Sequence, residues 1–181
     1  MISPQLQRTI VKLPTQNFTV GPKGRPLDYV IIHATAGGFS GSVDWLRNSN
    51  RPKRSSAHYV IDKAGGVVQL VREDDFAWHA GYGRWNGRGS MNRLSIGIEL
   101  ENSNTGTDPY PRPQIEAALY LTLRALVKHK RKSSDVLGHN QVDPERKTDP
   151  AGFLWNPFLF AIEENLKKFE SRELCEHCFF S

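Results

Sequence analysis

The segment Gly138–Pro150, GHNQVDPERKTDP, sets His139, Lys147 and Asp149 on a short polar stretch stiffened by Pro144 and Pro150. Loops this polar are ordinarily solvated surface, so the grouping asks for a chemical reason. A zinc centre that performs hydrolysis takes three protein ligands and keeps one position open. His33, His139 and Asp149 form a candidate set of two imidazoles and one carboxylate. Such an ion lowers the pKa of a bound water from about 15.7 to about 7, which is roughly 12 kcal/mol of help in forming hydroxide. The water also needs a proton acceptor, and Glu99 is the candidate general base. Lys147, two residues before Asp149, is a compact cation suited to meeting a developing oxyanion. Each residue also has a plain structural reading. A histidine can end a strand as a hydrogen-bonded group, Glu99 can be a solvated edge carboxylate, and Lys147 can pair with Glu145 or Asp149.

These side chains are far apart in the chain, so the fold must gather them. YVIIH, Tyr29–His33, is a continuous apolar run rich in β-branched residues and reads as a strand buried on both faces. LSIGIEL alternates, with Leu94, Ile96, Ile98 and Leu100 on one face and Ser95, Gly97 and Glu99 on the other. The small residues of the second face leave space, as the floor of a cleft would. AHYVID and GVVQLV flank KAGG and predict a hairpin. SVDWLRN predicts a helix capped by Ser40 or Ser42. PQIEAALYLTLRALVKHK predicts a longer helix, with Ile115, Leu119, Thr122 and Leu126 at helical spacing and Pro113 in the first turn. VLGH reads as a brief strand into the polar segment. PFLFAIEENLKKF predicts a last helix with a stripe of Phe158, Ile162, Leu166 and Phe169. The expected fold class is mixed α/β: a mostly mixed central sheet flanked by helices, with the site in a groove at one edge of the sheet. Residues 1–27, punctuated by Pro and Gly, are expected to be an irregular lead-in; 28–170 form one domain and 171–181 a tail.

A chain of 181 residues can bury a core without disulfides. Its charge of +5 favours polyanions or merely aids solubility. No basic stripe with interleaved aromatics is visible, so no nucleic acid is expected. The run KHKRK falls at a helix end, where it complements the helix dipole. No apolar stretch approaches the length of a membrane span, and the first residues lack the apolar core of a secretory signal. The expectation is a monomer made in the cytoplasm. Cys175 and Cys178, with His177 between them, hint at a metal site in the tail but supply too few ligands to complete one.

The segments IIHATAGG, SAHYVID, AWHAG, LSIGIELEN and GHNQVDPERKTDPAG, in that order over about residues 28–160, resemble the zinc-dependent N-acetylmuramoyl-L-alanine amidases of the type 2 amidase family. That family shares its fold with peptidoglycan recognition proteins. The resemblance implies zinc held by His33, His139 and Asp149, with Glu99 and Lys147 in the positions that act on the substrate. The bond to be cut joins the lactyl group of N-acetylmuramic acid to L-alanine. His58 and His79 match family positions near the groove, and His79 with Trp78 is a candidate substrate contact; for His58 a structural hydrogen bond is the stronger reading. The expected partner is peptidoglycan or a muropeptide.

The last two motifs resemble cytoplasmic recycling amidases, which act on small anhydro-muropeptides. The first motif and the short stretch between His33 and His58 look more like wall-cutting phage endolysins released by a holin. Wall lysis is the favoured expectation, with recycling as the alternative. A non-catalytic binding module would show a broken ligand set. A glycosidase would use Glu99 and Glu101 as a carboxylate pair, leaving the histidines without a purpose.

Overall fold

The computed structural model describes residues 9–178, with side chains through residue 171. Among the described residues, eight strands and five α-helices follow one another, with a short 3-10 turn at Ser133–Asp135. They are β1 (Ile10–Lys12), β2 (Phe18–Thr19), β3 (Tyr29–Ala34), α1 (Phe39–Arg47), β4 (Tyr59–Ile61), β5 (Val67–Gln69), β6 (Phe76–Ala77), α2 (Met91–Leu94), β7 (Ser95–Leu100), α3 (Arg112–His129), β8 (Val136–Gly138), α4 (His139–Val142) and α5 (Trp155–Cys178). Six strands form one sheet in the order β1-β5-β4-β7-β3-β8, while β2 and β6 pair separately. Only β4 and β5 run antiparallel in the large sheet, as the expected hairpin; the other neighbours are parallel. The sheet is therefore mixed and mostly parallel.

Strand alternation divides the chemistry between two faces. Val30 and Ile32 of β3, with Ile96, Ile98 and Leu100 of β7, pack against α3 and α5 in the largest core cluster. The opposite face of β3 carries Tyr29 and Ile31, packed with Ala80, Met91, Leu137 and Val142, and then His33. On β7 that face carries Ser95, Gly97 and Glu99. In register, His33 is paired with Glu99 and Ile31 with Gly97, so the candidate site lies on the face away from α3 and α5. It sits at the carboxyl ends of parallel strands, where open α/β sheets receive ligands. α3 is buried on more than the predicted stripe: Ala117, Ala118, Leu121, Leu123 and Ala125 are also in the core, because α5 covers α3 from outside. The stripe of α5 is most buried at Phe158 and Ile162, with Leu166 packed beside them.

Two local expectations are corrected. The lead-in is not wholly irregular: β1 adds in parallel to β5 at the sheet edge, and β2 pairs with β6. Strands of three and two residues carry too little periodicity to be seen against the surrounding Pro and Gly. Helix α1 starts at Phe39 after Gly38, and neither Ser40 nor Ser42 caps it; the Ser42 hydroxyl donates to the Gly38 carbonyl at 2.8 Å. Its first turn is capped from elsewhere: Phe39 N–H donates to Glu101 Oε1 at 3.0 Å. The Lys128 and His129 side chains do lie in the last turn of α3, where they meet the negative end of the dipole. The side chains of Cys175, His177 and Cys178 fall outside the described residues.

Candidate metal centre and groove

β3 delivers His33 at its end, and β8 runs directly into α4, whose first residue is His139. The polar segment then returns Asp149 to the same point. Its path is held by backbone bonds from Asn140 N–H to the Asp149 carbonyl at 2.8 Å and from Lys147 N–H to the Asp143 carbonyl at 3.0 Å. Arg146 pairs with Asp143 within the segment. Asn104 ties the segment from outside, donating to Thr148 Oγ1 at 3.0 Å and accepting from Ala151 N–H at 2.7 Å. This polar loop is a strap fixed at several points.

Three potential ligand atoms converge. His33 Nδ1 and His139 Nδ1 are 3.0 Å apart, His139 Nδ1 is 3.0 Å from Asp149 Oδ2, and His33 Nδ1 is 3.4 Å from the same oxygen. Ligands about 2.0–2.1 Å from a tetrahedral ion stand about 3.3 Å from one another, so this spacing fits zinc. The donor set fits as well: two imidazoles and a carboxylate, all buried. Burial and the neighbouring His139 push the His33 pKa down to about 4, keeping the imidazole neutral as a metal ligand requires. Burial alone would raise the Asp149 pKa, but the adjoining imidazoles of His139 and His33 outweigh it and hold the carboxyl well below the usual range.

A groove of about 470 Å³ opens above this cluster. Glu99, His139 and Asp149 line it with Lys147, and Trp45 and Trp78 are among its walls. Glu99 is the register neighbour of His33. Its Oε2 is sealed from solvent and has no hydrogen-bond partner among the described residues. Burial, with Asp149 adding repulsion and Lys147 opposing it, raises the Glu99 pKa to about 8 in the metal-free chain. Lys147 is exposed on the strap and pairs with neither Glu145 nor Asp149 among the described residues. Glu101 does not join Glu99 as a second acid. Its two oxygens accept the N–H groups of Phe39 and Lys63 at 3.0 and 2.9 Å, so the carboxylate-pair reading loses its partner.

His58 is not a groove residue. It is fully buried. Its Nδ1 accepts the Gly97 N–H at 3.0 Å, so Nε2 carries the proton and donates to the Asp75 carbonyl at 3.1 Å. Burial and nearby Arg25 push its pKa down to about 3 from 6.5. A folded pKa below the unfolded one gives stability that is complete above about pH 6.5 and lost as pH falls toward 3. Metal-free protein is therefore expected to lose about 1.4 kcal/mol per pH unit below that point through this residue. Urea unfolding at several pH values measures the slope, and His58→Gln should flatten it; an equal slope in both proteins would remove His58 from the account.

His79 also departs from expectation. It lies at the groove, but it is 7% exposed and both ring nitrogens are engaged inside the protein. Trp78 does line the groove, with its indole N–H held by Thr19 Oγ1 at 3.0 Å. Two further residues here carry no local sequence signal: Trp45, exposed on α1 at the groove, and Asn104, whose two bonds to the strap span too much sequence to be read locally.

Residues 23–152 match the profile described as N-acetylmuramoyl-L-alanine amidase. The 1,6-anhydro-N-acetylmuramyl-L-alanine amidase AmpD of Enterobacter cloacae is 41% identical over 104 residues, 57% of this chain and 54% of AmpD. A crystal structure of an AmpD derivative superposes with a TM-score of 0.77 at 26% identity, covering 90% of this chain and 99% of that one. The amidase AmiD from E. coli, solved with anhydro-N-acetylmuramic acid-L-Ala-D-gamma-Glu-L-Lys, has a TM-score of 0.68 at 30% identity, covering 76% of this chain and 58% of that one. A mutant endolysin from Bacillus subtilis shares the fold alone, with a TM-score of 0.64 at 21% identity over 86% of this chain and 99% of its own. The chain spans about half the length of the curated AmpD and AmiD relatives it matches first. Among the described residues no helix is long and apolar enough to cross a membrane. With a profile match that takes in His33, Glu99, His139, Lys147 and Asp149, the chain belongs to the N-acetylmuramoyl-L-alanine amidase family.

Proposed function

We propose that this chain hydrolyses the amide bond between N-acetylmuramic acid and L-alanine, with zinc held by His33 Nδ1, His139 Nδ1 and Asp149 Oδ2. The observation that carries the proposal is the convergence of those three buried atoms to within 3.4 Å of one another. When bound, zinc polarises the amide carbonyl and eases deprotonation of water. Glu99 takes the proton from the attacking water and passes it to the departing nitrogen of L-alanine. A carboxyl that lines the groove and has a raised pKa is suited to both transfers. The Lys147 ammonium stabilises negative charge on the carbonyl oxygen. Trp78 and Trp45 offer apolar surface to the sugar or the peptide. The chain works as a monomer on this reading.

Small soluble anhydro-muropeptides are the proposed substrates, so the favoured reading shifts from wall lysis to recycling. The similarity to AmpD and AmiD is stronger than the likeness to endolysins, which speaks to fold alone. Cytoplasmic action on soluble fragments also needs no holin. Mass analysis of products tests bond and substrate together. A soluble anhydro-muropeptide is expected to yield a peptide with a free L-alanine amino terminus, much faster than intact peptidoglycan does. Chelation should stop the reaction and added zinc restore it. Release of new reducing sugar, or a preference for intact wall, would overturn the corresponding half of the proposal.

A further inference from the structure

The small residues of β7 do not floor an open cleft. The His79 ring fills the space they leave. A Cβ on Gly97 would lie 2.4 Å from His79 Cγ, so only glycine admits the ring at this depth. The backbone of this stretch is clamped as well, with the N–H groups of His79 and Ala80 both donating to Asn92 Oδ1 at 3.0 and 2.6 Å. Packing and clamp together bring His79 Nδ1 to 3.0 Å from His33 Nε2.

Every proton along this line is fixed by its far end. The Met91 carbonyl can only accept, so the Ser95 hydroxyl donates to it at 2.6 Å. The Ser95 oxygen is then free to accept from His79 Nε2 at 3.3 Å. With the proton on Nε2, His79 Nδ1 is an acceptor, and His33 Nε2 must donate to it. His33 Nδ1 is thereby left bare, with its lone pair on the side of His139 and Asp149. His139 has no such support: its Nε2 is buried without a hydrogen-bond partner among the described residues.

We infer that His79 is a positioning residue. It holds His33 in the tautomer and ring orientation that present Nδ1 to the cation, through a relay running from the Met91 carbonyl through Ser95 and His79. The inference rests on the reading of His33 as a zinc ligand. It also explains why His79 is an unsuitable substrate contact, and why Ser95 and Gly97 stand beside Glu99 on the same face.

The test measures zinc affinity by chelator competition, together with the visible spectrum of the cobalt-loaded protein and thermal unfolding of the metal-free chain. His79→Leu removes the acceptor and is expected to weaken zinc binding about 10–100-fold and to shift the cobalt bands. In His79→Asn the amide oxygen can stand near the place of Nδ1 and accept the same proton, so most of the affinity should return. A purely structural role for the ring predicts no such rescue. Folded His79→Leu with wild-type affinity, or His79→Asn no better than His79→Leu, overturns the relay. Should His79→Leu fail to fold, Ser95→Ala decides: it frees the His79 tautomer and should weaken zinc several-fold within that same range, and wild-type affinity would overturn the relay. His139→Ala in the same titration separates the two levels, since tight zinc binding there would overturn the centre itself.

Discussion

Asp149→Ala is expected to yield a folded chain that neither retains zinc nor cleaves the muramyl amide. Partners that merely orient a metal ligand are worth about 10–100-fold in affinity, so loss of a ligand should exceed that and reach at least about a thousandfold, or about 4 kcal/mol. Asp149 is also the only anion in the cluster. Without it two buried neutral imidazoles face a divalent ion with no compensating charge. The strap should survive, because its anchors are the Asn140, Asp143 and Asn104 bonds, which the substitution spares. Metal content after dialysis and product analysis check the result; stoichiometric zinc in Asp149→Ala would mean that the ion sits elsewhere.

Glu99→Gln should separate binding from chemistry. Its amide keeps the shape of the side chain but cannot accept a proton from water. Zinc should remain, because Glu99 is not among the three convergent atoms, and turnover should fall about 10²–10⁴-fold, the usual worth of a general base. The argument rests on the environment of the group. A carboxyl with a buried, unpartnered oxygen is costly to keep, and a site used in proton transfer gives that cost a purpose. Single-turnover rates with metal content measured on the same sample provide the check. A normal rate would remove Glu99 from the chemistry, and lost zinc would make it part of the metal centre.

The sequence was most legible where one period repeats over enough residues. The alternation of LSIGIEL from Ile96 onward and the stripes of the two long helices translate into the core of α3, α5, β3 and β7, whereas Leu94, expected on the same face, ends α2 and packs against the cluster on the other side of the sheet. Ligand chemistry made His33, His139 and Asp149 a candidate set, the family resemblance singled it out from the plain structural readings, and the fold brings the three together. The features that escaped depend on contacts distant in sequence. Glu101 caps α1 across 62 residues. Asn104 reaches the strap across 44 and 47. The space beside Glu99 was correctly read as space, but its occupant, His79, arrives from the loop after β6. Neither spacing nor residue type could show that this imidazole faces inward, since a Trp-His pair on a glycine-containing loop suits a substrate contact equally well.

The alternation of β3 and β7 has an evolutionary consequence. Adjacent residues on one strand answer to unrelated demands: one to adhesion of the helices, the next to the reaction. Leu for Ile at Ile98 changes only the shape of an equal-volume core side chain, whereas almost any change at Gly97 or Glu99 meets an imidazole or the groove. A lineage can therefore retune its thermal tolerance through one side of the sheet while the reactive side stays fixed, with a shared backbone as the only tie between them.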